Sequence, residues 1–216
     1  MVELALNIKK KFILPIGLFC LFMSIHSWSH AKPVILVLGD SLSAEYGLPR
    51  GSGWVSLLEA QLKKEKSSAS VFNASISGET TSGGLTRLPG LLASKMPAVV
   101  MIELGANDAL RGLPLTETEA NLRKMIGMSK KFGAKVLLFG MQIPPNYGQS
   151  YTKQFKALYF SLAKEEKVEL IPFFLEGVAT RPDLFQADRI HPNVDAQPTL
   201  FKNVWGAMAP YQKLLN

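Results

Sequence analysis

The chain has 216 residues, 47% of them hydrophobic, one cysteine (Cys20), and a formal net charge of +7 from 24 Lys and Arg against 17 Asp and Glu. Such a length suits one domain with one core, and a lone thiol excludes an intrachain disulfide. Beyond the N-terminal Lys9-Lys10-Lys11 the cationic excess is scattered: Lys63-Lys64-Glu65-Lys66 and Lys130-Lys131 are small clusters and neither is interleaved with aromatic residues, so no nucleic-acid partner is expected.

The first segment, residues 1–31, carries Lys9-Lys10-Lys11, an apolar stretch from Phe12 to Ile25, and the small-residue ending Ser29-His30-Ala31. This is the layout of a signal peptide cut near Ala31. The apolar stretch is short for a membrane span and is weakened by Pro15 and Gly17, with an uncleaved anchor as the alternative. Phe19 before Cys20 speaks against a lipoprotein signal. Cleavage leaves residues 32–216 as a single exported domain, periplasmic or secreted, with no cysteine and with 21 cations against 16 anions, a charge of +5.

Short apolar runs then alternate with amphipathic stretches. Strands are expected at 34–39, 71–75, 98–104, 135–140 and 168–173, and helices at 54–66, within 80–95, at 116–132, 150–166 and 196–215. Thr116 followed by Glu119 reads as a capping box opening the third of these helices. The alternation specifies an α/β fold: a three-layer α/β/α sandwich on a five-stranded parallel sheet of flavodoxin-like form. No repeat, linker or low-complexity segment interrupts it.

This topology gives the short motifs a common address. Gly39-Asp40-Ser41-Leu42-Ser43 ends the first strand, so Ser41 stands at the C-terminal edge of the sheet, where open α/β sheets place their chemistry. A serine hydroxyl needs a base to become a nucleophile. The histidines are His26, His30 and His191, and only the last survives signal cleavage; Asp188, three residues before it, can hold the imidazole and stabilise the imidazolium. Gly78 follows the second strand and Asn107, in Gly105-Ala106-Asn107-Asp108, follows the third. The N–H groups of Ser41 and Gly78 and the Asn107 amide are therefore candidates for an oxyanion hole. The loop Ile143 to Tyr147, with Pro144 and Tyr147 foremost, and Leu110, Leu113 and Pro114 after the Asn107 turn offer apolar surface for an acyl chain, although core packing or a plain loop edge explains them as well.

Gly39-Asp40-Ser41-Leu42-Ser43, Gly78, Gly105-x-Asn107-Asp108 and Asp188-x-x-His191 resemble, in order and spacing, the four blocks of the SGNH (GDSL) hydrolase superfamily. Within it the chain is most similar to the bacterial periplasmic arylesterase and multifunctional thioesterase/lysophospholipase group. The resemblance implies a nucleophile at Ser41, a base at His191 oriented by Asp188, an oxyanion hole from Ser41, Gly78 and Asn107, and hydrolysis of carboxylic esters and acyl thioesters without a cofactor or metal. A monomer acting on small-molecule esters, with transient lipid contact, is the corresponding expectation. Glu45 and Arg189 depart from the common pattern near the mouth of the site and bear on leaving-group or head-group preference.

Each residue has a plainer role when taken singly: Ser41 as a helix cap, Gly78 and Gly105 as turn glycines, Asn107, Asp108 and Asp188 as turn or cap residues, His191 as a loop histidine. Their gathering at one sheet edge favours catalysis. Two alternatives stand: an O-acetylesterase of carbohydrate or peptidoglycan, disfavoured because no aromatic-rich insertion builds a sugar platform, and a non-catalytic flavodoxin-like binding protein. The second is opposed by the acidic Asp40 and Glu45 where a phosphate-cradling loop would lie.

Overall fold

The computed structural model of the protein describes residues 32–215, and the expected signal peptide at residues 1–31 lies outside them. Five strands form one sheet: β1 (Val34–Gly39), β2 (Ser70–Asn73), β3 (Val99–Glu103), β4 (Lys135–Phe139) and β5 (Glu169–Ile171). All neighbours are parallel, in the order β2-β1-β3-β4-β5. The central strands are unbroken apolar runs because both of their faces are covered. Ile35 to Leu38, Val99 to Ile102 and Leu137 to Phe139 are fully buried, each such side chain contributing about 1.5–3 kcal/mol.

The chain also forms α1 (Trp54–Lys64), α2 (Thr81–Lys95), α3 (Ala106–Leu110), α4 (Leu115–Lys131), α5 (Gln149–Glu166), α6 (Gln197–Gly206) and α7 (Gln212–Leu215). Helices α2, α4 and α5 pack in a row, and α1 packs against α6 in the opposite layer. Their sequences dictate which face turns inward. In α4, Thr118, Leu122, Met125, Ile126 and Ser129 are buried at spacings of three and four. Beneath the other face of the sheet Trp54 meets Phe139 and Phe174 with ring centroids 5.6 and 5.7 Å away.

Three elements differ from expectation. Thr116 is not the cap of α4: Pro114, whose ring fixes φ, precedes the first helical residue Leu115, and Glu119 pairs with Arg123 at 2.8 Å instead. The last helix is not continuous, because Pro210 sits in a 3-10 turn, Ala209–Tyr211, between α6 and α7. Helix α3 occupies what reads in the sequence as a loop.

From β1 the chain steps outward to β2 and then returns past β1 to β3. Connections leaving β1 and β3 therefore diverge, opening a crevice at their C-terminal ends. Among the described residues no helix is long and apolar enough to cross a membrane.

Candidate active site

Register decides the first contact. Gly39, the last residue of β1, lies opposite Glu103, the last of β3, and a Cβ there would sit 2.7 Å from Glu103 Oε2 and 2.8 Å from Ser43 Oγ. Only glycine fits so close an approach. The chain then turns sharply: Ser43 and Ala44 donate their N–H groups back to the Asp40 carbonyl at 3.2 and 3.0 Å, and the Leu42 N–H donates to Asp40 Oδ1 at 3.0 Å. This turn presents Ser41 to the crevice.

The loop after β5 brings its partner. His191 Nδ1 lies 2.7 Å from Asp188 Oδ2, and Nε2 lies 2.9 Å from Ser41 Oγ. With Nδ1 donating to the carboxylate, Nε2 is free to accept the serine proton. The other oxygen, Asp188 Oδ1, accepts the backbone N–H groups of His191 at 3.0 Å and Ile190 at 2.9 Å. These two bonds hold the Asp188 carboxyl down to about 2, so it stays ionised beside the imidazole.

The proposed oxyanion donors come from two further loops. Gly78, with φ +78°, makes a left-handed turn after β2 that a side chain would strain, and its carbonyl accepts Arg111 Nη2 at 2.9 Å. Asn107, on α3, donates from Nδ2 to Asp40 Oδ2 at 3.0 Å, which fixes the plane of its amide and leaves the second N–H unengaged by that bond. Asp108 accepts the Thr81 N–H at 2.9 Å and so joins the start of α2 to α3, locking the Gly78 loop against the Asn107 helix. Among the described residues the N–H groups of Ser41 and Gly78 have no hydrogen-bond partner.

Behind the serine lies a pair of buried carboxyls. Glu103 Oε2 accepts from the Asp40 N–H at 3.2 Å and the Ser43 hydroxyl at 2.8 Å, whereas Glu103 Oε1 is buried without a partner among the described residues. Burial, then the neighbouring Asp40 charge, pushes Glu103 well above the usual carboxylate range. Burial also raises Asp40 to about 6, opposed by its bond from Leu42 and by His191. Among the described residues no group of three or more His, Cys, Asp or Glu side chains could hold a metal ion.

Ser41, Asn107 and His191 share one cleft of about 1270 Å³ with Leu110, Pro144 and Arg189. Leu113 and Tyr147, named above as acyl-chain surface, do not line it: they stand 38% and 40% exposed outside the lining. Its far wall is built instead from Met141, Ile143, Phe173 and Leu175, at the ends of β4 and β5. Ile143 opens the loop already expected to offer acyl-chain surface; Met141, Phe173 and Leu175 lie just past the strand ends, where an apolar residue reads the same whether it faces a cleft or the core. Of the two departures, Arg189 lies in the cleft, but Glu45 turns away from it, accepting the N–H groups of Gly51 and Gly53 and the Ser56 hydroxyl.

The profile of the GDSL-like lipase/acylhydrolase family matches residues 37–197. The chain belongs to this family. It is 48% identical over 191 residues to the esterase TesA of Pseudomonas aeruginosa, covering 88% of this chain and 95% of that protein. It is 47% identical over 168 residues to thioesterase 1/protease 1/lysophospholipase L1 of Escherichia coli K12, covering 78% of this chain and 79% of that one. Among solved structures it is similar to the psychrotrophic esterase EstA of Pseudoalteromonas sp., seen inhibited by monoethylphosphonate. The two superpose with a TM-score of 0.80 at 40% identity, over 84% of this chain and all of the other. The chain is thus an acyl hydrolase of this family, with Ser41, Asn107 and His191 lining one cleft.

Proposed function

We propose that the protein cleaves carboxylic esters and acyl thioesters through an acyl-enzyme on Ser41. The reading rests on the relay from Ser41 Oγ to His191 Nε2 and from Nδ1 to Asp188, with heavy-atom separations of 2.9 and 2.7 Å, at one end of an apolar cleft. His191 takes the hydroxyl proton as Oγ attacks the acyl carbonyl. The oxygen that becomes negative is met by the N–H groups of Ser41 and Gly78 and by the Asn107 amide. Collapse expels the alcohol or thiol, which receives its proton from His191, and water repeats the steps on the acyl-enzyme. Asp188 remains a carboxylate throughout, holding the imidazole in one tautomer and balancing its charge in the transition state.

The apolar wall of Leu110, Met141, Ile143, Phe173 and Leu175 suits an acyl chain, with Arg189 beside the histidine at the leaving-group side. The names of the relatives point the same way, toward esters and thioesters. We further propose export to the periplasm after cleavage near Ala31, and action as a monomer.

A panel of p-nitrophenyl esters and acyl-coenzyme A thioesters of graded chain length tests the reading. Asn107→Ala should lower kcat on every member by about 10²–10³-fold, the usual effect of losing one oxyanion donor, while leaving KM close to that of the unmodified protein. A change confined to KM would remove Asn107 from the oxyanion hole, and absence of hydrolysis across the whole panel would refute the substrate class.

A further inference from the structure

Gln186 takes part in none of the steps above, yet it bridges the two loops that carry the reacting side chains. Its Nε2 donates to the carbonyl of Tyr46, five residues beyond Ser41, at 2.8 Å, and to the carbonyl of Pro192, next to His191, at 3.1 Å. Its own backbone N–H donates to the His191 carbonyl at 2.8 Å. One half-buried amide thus joins segments 140 residues apart in sequence. The same junction is packed on its outer side. The Tyr46 ring lies 4.4 Å from the imidazole of His191, tilted by 40°.

The Ser41–His191 contact is a single hydrogen bond between two loops. Around it, Asp188 fixes the imidazole within its own loop, and the Asp40 turn fixes Ser41 within the other. Neither sets the distance between the loops. A displacement of about 1 Å between reacting groups can lower a rate by about 10²-fold, so something must hold the two together. The bond from Gln186 to Tyr46 runs directly between them, and the bond to Pro192 ties the same amide to the histidine loop.

We propose that Gln186 is a positioning residue for the hydrolysis, holding the His191 loop against the nucleophile loop through the Tyr46 and Pro192 carbonyls. The proposal rests on the catalytic assignment of Ser41 and His191 above. It predicts a defect in the chemical step and not in substrate binding: Gln186 lines the cleft, but its amide hydrogens are engaged by the Tyr46 and Pro192 carbonyls.

Gln186→Met keeps the length of the side chain and removes both donors. Rates are normalised to active sites titrated with an organophosphonate, so that loss of folded protein does not count as loss of rate. The expected result is a fall of tenfold or more in kcat on p-nitrophenyl butyrate, a KM within twofold of the unmodified protein, and an equal fall in the rate of phosphonylation. Gln186→Asn, which keeps the amide but is one methylene too short to reach both carbonyls, should fall between the two, and it serves as the test where Gln186→Met does not fold. A kcat per titrated site within twofold of the unmodified protein overturns the proposal, whether or not the melting temperature drops. So does a change confined to KM. Phosphonylation of Ser41 in the unmodified protein separates these outcomes from a failure of the catalytic assignment itself.

Discussion

Glu103 shows how one residue serves the site without facing it. It is wholly buried at the end of β3, its partners among the described residues are the Asp40 N–H and the Ser43 hydroxyl, and the carboxyl of Asp40, 1% exposed, is its neighbour. Two adjacent buried carboxylates repel, which favours a proton on one of them. Asp40 has the better claim to the charge, since Leu42 N–H and Asn107 Nδ2 both donate to it. An acid whose folded pKa lies above its unfolded value contributes its stability below the unfolded value, here 4.5, and loses that contribution as pH rises toward the folded one. Glu103→Gln removes this titration and keeps an acceptor for both bonds. Thermal unfolding between pH 5 and pH 9 should therefore fall less steeply for Glu103→Gln than for the unmodified protein; parallel slopes would mean that Glu103 is ionised throughout. Glu103→Leu strands the Asp40 N–H and Ser43 hydroxyl and should destabilise by about 1–3 kcal/mol at all pH values.

Among the elements, helix ends carry the clearest test. α2 stops at Met96, which adopts φ 44° in the left-handed region and is 81% exposed. A residue there gives up no packing when replaced, and glycine takes this conformation without the penalty of about 1–2 kcal/mol that a Cβ brings. Met96→Gly should stabilise the protein by about 1 kcal/mol in urea unfolding with activity unchanged. Loss of stability would show that the Met96 side chain packs. The elements also show what could be read beforehand. Strands β1, β3 and β4 were legible because buried parallel strands are continuous apolar runs, and α4 because its buried positions repeat every three to four residues. Helix α3 was not, since five residues are too few to display a period. The site divides along the same line. Ser41, Gly78, Asn107, Asp188 and His191 were nameable from motif and chain order, and the described structure brings Ser41, Asp188 and His191 into one hydrogen-bonded relay. Phe173, Leu175, Tyr46 and Gln186 were not, because their significance comes from neighbours far away in sequence.

At the scale of the molecule, the reversal of strand order between β1 and β3 creates the crevice, and the loops after β1, β3 and β5 furnish it. Ser41 and His191 lie 150 residues apart, so their contact exists only when the whole sheet is assembled. The helices on either face keep the strand ends in register, the buried Asp40, Glu103 and Asp108 tie the loops to that frame, and the apolar ends of β4 and β5 supply the wall for an acyl chain. The central claim is that this assembly makes one hydroxyl nucleophilic. Intact-mass analysis after treatment with a fluorophosphonate, followed by peptide mapping, tests it most directly. A single adduct per chain is expected, located on Ser41, with neither adduct nor p-nitrophenyl acetate hydrolysis in Ser41→Ala. An adduct on another residue, or undiminished hydrolysis by Ser41→Ala, would contradict it.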